Sequence, residues 1–137
     1  MAFYHTKILI VLTGLASSGS GDIIGKAATA NCHIGQITAA VNGTVLSGKM
    51  TCMEAPAGGD PDINLWYADE ATGTEDAAIT GLSNHTQMCD SGDLALGSVI
   101  SIPTPPAADK YMYMVTGAAT DANYTAGKIL IEFFGYV

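Results

Sequence analysis

The chain has 137 residues, the usual size of one domain, and 13% of them are charged, against roughly 25% in an ordinary soluble domain. Its net charge is −8, and its five basic residues are all lysines. Nucleic acids and anionic membrane surfaces bind clusters of Lys and Arg side chains, so we expect neither as a partner.

Apolar residues make up 48% of the chain. Monomeric soluble proteins rarely expose large apolar patches, so this composition favours either self-association or coverage by other proteins. We expect a homo-oligomer.

The first element follows from an alternating segment, residues 3–13. Alternation over so many residues predicts a β-strand, with Leu9 and Val11 on the face opposite Ile8 and Ile10. Lys7 followed by an apolar run is also typical of a signal peptide, but we interpret the segment as a strand that the mature protein keeps. It is shorter than the about 20 apolar residues that span a membrane. We expect residues 1–16 to engage a neighbouring subunit.

The next element is a predicted hairpin. Residues 37–41 and 44–53 flank Asn42-Gly43, a pair that adopts the positive φ angles of a type I′ turn at little cost. Further strands are expected at residues 62–68, 96–102, 110–116 and 127–136. Residues 55–61 and 83–92 read as loops, and residues 22–29 and 77–82 as short pairing segments.

Glycines and turn residues recur throughout the chain, and no segment has a sustained helical period. Regular spacing of this kind predicts an all-β fold, an antiparallel β-sandwich of the jelly-roll type, formed by residues 1–137 as a single domain. The strands at 110–116 and 127–136 are apolar on both faces. At least one of them should therefore pack against a second layer or another subunit.

Catalytic and metal sites are not expected. The three histidines (His5, His33 and His85) lie in no nucleophile motif, so we predict that the chain is not an enzyme. The carboxylates between residues 60 and 76 do not follow the EF-hand spacing, and the three cysteines (Cys32, Cys52 and Cys89) do not fit a zinc site. We predict no metal and no cofactor, and we expect the cysteines to be reduced thiols in or near the core.

Aromatic and methionine side chains in two strands suggest an interface instead, since these residue types are enriched where proteins meet. Together with the outer side of the first strand they form the predicted interface: Leu9, Val11, Trp66, Tyr111, Met112, Tyr113 and Met114.

The last third of the chain, residues 110–136, resembles the endings of small virion proteins of tailed bacteriophages. There a Tyr-Thr-Ala-Gly-Lys turn, here residues 124–128, leads into a final apolar strand. Residues 62–69 are similar to the middle strand of these proteins. The resemblance implies a capsid decoration, or cement, protein that binds the major capsid protein or other virion proteins as a trimer or dimer. It also implies a place in the virion, assembled in the host cytoplasm.

The alternative is a secreted or cell-surface module that binds a carbohydrate or peptide through Trp66 and the acidic loops, with or without Ca²⁺.

Overall fold

Two four-stranded antiparallel sheets form the body of the protein, whose computed structural model describes residues 1–137. The predicted all-β, antiparallel class is therefore confirmed. Its strands are β1 (Phe3–Val11), β2 (Ala16–Ser17), β3 (Gly35–Gln36), β4 (Thr44–Ala57), β5 (Ile63–Ala68), β6 (Thr86–Cys89), β7 (Val99–Ser101), β8 (Tyr111–Thr116), β9 (Ala122–Asn123) and β10 (Ala126–Tyr136).

Sheet 1 has the strand order β1-β10-β4-β7, and sheet 2 has the order β3-β8-β5-β6. Strands β2 and β9 pair separately. A one-turn helix, α1 (Ala39–Asn42), and a short 3₁₀ helix (Ile79–Gly81) complete the elements. Neither helix has the length and hydropathy needed to cross a bilayer.

The main core lies between the two sheets, where one cluster of buried side chains draws on both. Sheet 1 contributes the predicted inner face of β10, namely Ile129, Ile131 and Phe133. Sheet 2 contributes Ile63 and Leu65 from β5. The period-2 alternation in these strands thus assigned their faces correctly.

A second apolar cluster covers the other face of sheet 2. Val115 and Ala68 point away from the main core and pack against Ile23 and Ile79, which come from the segments before β3 and before β6. Strand β8 is therefore buried on both faces, as its doubly apolar sequence predicts. The covering layer comes from the same chain and not from another subunit.

The predicted hairpin at Asn42-Gly43 is wrong. The Asn42 side chain accepts a hydrogen bond from the backbone N–H of Thr38 at 2.9 Å and donates one to Thr6 Oγ1 at 2.8 Å, which holds a helical turn in place. Strand β4 then pairs with β10 and β7. Side-chain hydrogen bonds of Asn compete with backbone pairing in this way.

Other boundaries also differ. Residues 83–92, expected to be a loop, contain β6, which pairs with β5. The segment 77–82 contains the 3₁₀ helix, Ile79–Gly81, and pairs only through an isolated bridge between Ala78 and Asp22. Residues 22–29 likewise make only isolated bridges, such as Ile23 with Val115. Strand β4 continues to Ala57 through the expected loop, because its last residues pair with β10 across register shifts.

Candidate interaction surface

The structure divides the predicted interface into three groups. Met112 and Met114 are 1% exposed and lie in the main core, while Tyr113 is fully buried in the second cluster. These three side chains cannot contact a partner, so their assignment to an interface is corrected. Strand β8 is central in its sheet and covered on both sides, which explains its composition.

Trp66 and Tyr111 are half-buried at the edge of the second cluster. The Trp66 ring lies 6.0 Å from the His85 ring, and its buried Nε1 has no hydrogen-bond partner. A tryptophan at a binding surface combines an apolar ring with an N–H group that can reach a hydrogen-bond partner. The geometry here gives less support to the carbohydrate alternative.

Leu9 and Val11 lie on the outer face of sheet 1, where both are exposed and border a groove at the edge of the sheet. Register places Leu9 beside Leu130, Leu130 beside Thr51, and Thr51 beside Val99. These three apolar residues, with Thr51 among them, form what we call the apolar row, which crosses all four strands. Leu9 and Val99, at its two ends, are each 59% exposed.

A charged row runs beside the apolar row. Lys7 pairs with Glu132, and Glu132 pairs with Lys49, whose Nζ lies 3.9 Å from the Glu132 carboxylate. His5 Nε2 lies 2.7 Å from the same carboxylate, and the His5 ring stacks on Phe134 with 4.7 Å between centroids. The outer face of sheet 1 is thus a mixed surface of apolar and paired polar side chains.

The charge of this face differs from that of the whole molecule. Three of the five lysines (Lys7, Lys49 and Lys128) lie on it, together with Glu54 and Glu132. The Gly127 N–H, which donates to Glu54 at 2.9 Å, and then Lys128, whose Nζ lies 3.1 Å from the same carboxylate, lower the pKa of Glu54. In a chain of net charge −8, a face where three lysines meet two carboxylates repels acidic surfaces less than the chain as a whole does.

Strand β1 forms one edge of sheet 1, and its outward backbone groups have no partner. Ala2 and Val137 exchange hydrogen bonds, and the Leu12 N–H donates to Gly127 at 2.9 Å. Hydrogen-bonded pairs alternate along an antiparallel ladder, so the even-numbered residues of β1 bond to β10. The N–H and C=O groups that point away from the sheet belong to Phe3, His5, Lys7, Leu9 and Val11.

A groove of about 350 Å³ lies beside the C-terminal end of β1. Ile10, Leu15, Ile24 and Ile34 give it an apolar lining, and the segment of residues 25–33 forms its far wall. It separates the edge of sheet 1 from the segment that leads into β3.

Carboxylates gather at another part of the surface, around Asp62. Partial burial, and then the charges of Asp90, Asp60 and Asp93, raise the pKa of Asp62. No group of three or more His, Cys, Asp or Glu side chains has an arrangement that could hold a metal ion. Cys52 and Cys89 are buried free thiols, and burial raises the pKa of Cys89 to about 11.

Sequence reasoning missed Val99, Leu130 and Phe134 as members of the open face. The alternation within residues 127–136 carries that information, because Leu130 and Phe134 are out of phase with the inward-facing Ile129, Ile131 and Phe133. Val99 became part of the face only through its pairing with β4, which the sequence does not reveal.

Comparisons of the chain with protein families, with curated proteins and with solved structures gave no significant match.

Proposed function

We propose that the chain is a structural virion protein, a capsid decoration protein that binds the outer shell of a tailed bacteriophage and stabilises it through protein–protein contacts. The observation that carries the proposal is the contrast between the two sheets. The outer face of sheet 2 is covered by the chain itself, whereas the outer face of sheet 1 leaves the two ends of the apolar row, Leu9 and Val99, exposed to solvent.

The make-up of the open face fits a protein partner. An interface of the non-obligate kind combines apolar contacts with polar groups and is about as apolar as the rest of a protein surface. The apolar row beside the charged row has this composition. The proposed partner is the major capsid protein or another virion protein, bound by a dimer or trimer of this chain.

The resemblance of residues 110–136 to virion proteins supports the same proposal and a place in the virion, after assembly in the host cytoplasm. A jelly-roll arrangement belongs to the proposal too. In the observed strand order, β3, β4 and β5 alternate between sheets 2 and 1, and β7 and β8 do the same. Jelly rolls, which consist of two Greek keys in two sheets, have such crossings.

The proposal is tested with expanded phage shells from which the chain has been omitted. Purified chain should sediment with these shells and raise the temperature at which they rupture. Leu130→Asp places a charge in the centre of the apolar row and should weaken binding by about tenfold or more. Val41→Asp is the matched control, because Val41 is exposed on α1, away from this face.

Two results would contradict the proposal. One is a chain that does not sediment with the shells at any concentration. The other is a loss of binding for Val41→Asp equal to that for Leu130→Asp, which would place the contact elsewhere.

A further inference from the structure

The edge of sheet 1 at β1 lacks most of the features that normally keep an exposed strand from pairing. Natural edge strands are short, bulged, or interrupted by proline and charge. Strand β1 has nine residues, pairs with β10 through nine consecutive positions without a register shift, and contains no proline; Lys7 is its one charged residue apart from His5. The opposite edge, β7, has only three residues.

We propose that β1 pairs antiparallel with β1 of a second copy of this chain, about a two-fold axis at Ile8. The two copies of sheet 1 then form one continuous sheet. This inference rests on the proposed function, since it names the contact that builds the oligomer.

The free backbone groups restrict the register. Only odd-numbered residues offer outward N–H and C=O groups, so each must face an odd-numbered residue of the second copy. An axis at Lys7 would set the two Lys7 side chains directly opposite each other, and like charges in this position are destabilising. An axis at Ile8 sets Lys7 opposite Leu9 and His5 opposite Val11.

The inner face of the pair is then apolar. Ile8 meets Ile8 of the second copy, and Ile10 meets Thr6, which are favourable β-branched pairs. The next residue along, Tyr4 of the second copy, falls just beyond the end of β1, beside the groove lined by Ile10 and Leu15. Each copy contributes one groove and one Tyr4, so the two-fold axis produces this contact twice in the dimer.

Charge also favours a second copy at this edge. The chain carries −8, and most pairings of its surfaces would oppose carboxylates. Strand β1 contains no acidic residue, and its nearest carboxylate, Glu132, lies between Lys7, Lys49 and His5. Two copies can therefore meet here without bringing unpaired carboxylates together.

The first test probes the register by placing charged side chains at Leu9. Sedimentation equilibrium measures the dissociation constant of the dimer. Leu9→Glu sets a carboxylate opposite Lys7 of the second copy twice per dimer and should tighten the dimer by about tenfold. Leu9→Lys sets two cations opposite each other and should weaken it by about as much. Val99→Glu and Val99→Lys are the matched controls, because Val99 has the same 59% exposure on the other edge.

The second test uses a disulfide at the axis. Residues facing each other in a non-hydrogen-bonded pair have Cα atoms about 4.5 Å apart, within the range of a disulfide. Ile8→Cys should therefore form a cross-linked dimer on mild oxidation. Ile10→Cys should not, because its counterpart across the axis is Thr6.

The inference is overturned if the unaltered chain is monomeric at every concentration, if the Leu9 and Val99 variants behave alike, or if Ile8→Cys does not cross-link. A monomer that still binds phage shells would overturn this inference and leave the proposed function standing. A dimer with the expected register that does not bind the shells would support this inference and contradict the proposed function.

Discussion

The carboxylate of Asp62 packs directly over the α-carbon of Gly117, whose backbone N–H donates to the Asp62 carbonyl oxygen at 2.8 Å. The Asp62 Oδ1 atom is buried and accepts no hydrogen bond. Burial is the largest cause of the raised pKa of this side chain, followed by the charge of Asp90. The folded state therefore favours the neutral form of Asp62 relative to the unfolded state.

Asp62→Asn should make the protein more stable at neutral pH, by less than about 1 kcal/mol because the site is partly solvated. A raised carboxyl pKa contributes stability that is present below the unfolded pKa and is lost as pH rises through the folded value. The gain from the substitution should therefore vanish in acid. Urea unfolding of the unaltered protein and of Asp62→Asn, from acid to neutral pH, measures this gain in unfolding free energy. Asp121→Asn, at an exposed position, should show no such trend, and an equal trend there would refute the explanation.

Met114→Ala should cost about 2–5 kcal/mol of unfolding free energy, because it leaves a cavity between the two sheets. Leu9→Ala should change it by about 0.5 kcal/mol or less, since Leu9 is exposed. Denaturant unfolding of the two variants compares them. Similar values for both would contradict the division of the predicted interface into core and surface.

Gly43→Ala should destabilise the protein by about 1–3 kcal/mol. Gly43 has a φ of 64°, and a Cβ atom there would lie 2.5 Å from the backbone oxygen of Tyr136. Gly97 also has a positive φ, 84°, but nothing surrounds it within 4 Å. Gly97→Ala therefore measures the backbone strain alone, and the thermal unfolding of Gly43→Ala should show the larger loss. Equal losses would mean that the approach to Tyr136 costs nothing.

Thiol reagents should distinguish the three cysteines. Cys32 is half-exposed beside the groove, whereas Cys52 and Cys89 are buried and burial raises the pKa of both thiols. Because the thiolate is the reacting form, Cys32 should be alkylated first in the native protein at mildly alkaline pH, and the other two only on unfolding. Mass spectrometry of partly labelled protein gives the order in which the three cysteines are alkylated. Early labelling of Cys89 would contradict the described core.

The sequence predicted the strands whose alternation is regular, such as β1 and β10, and the face that each buries. It failed where a single side chain decides the backbone path. Asn42 forms a helical turn because Thr38 and Thr6 are within its reach, and Thr6 is distant in the chain. The same limit explains why Met112 and Met114 were wrongly predicted as interface residues, since composition does not reveal that the chain itself covers both faces of β8.

The candidate surface was predictable only in part. Leu9 and Val11 followed from the period-2 pattern of the first strand. The apolar row did not, because it depends on which four strands lie side by side and in which register.

Electron cryomicroscopy of the assembled phage particle tests the central claim most directly, namely that the open outer face of sheet 1 is where this protein meets other proteins. We predict density for the chain on the outside of the shell, with the apolar row from Leu9 to Val99 covered by a neighbouring protein. A chain absent from the particle, or present with that face in solvent, would contradict the account.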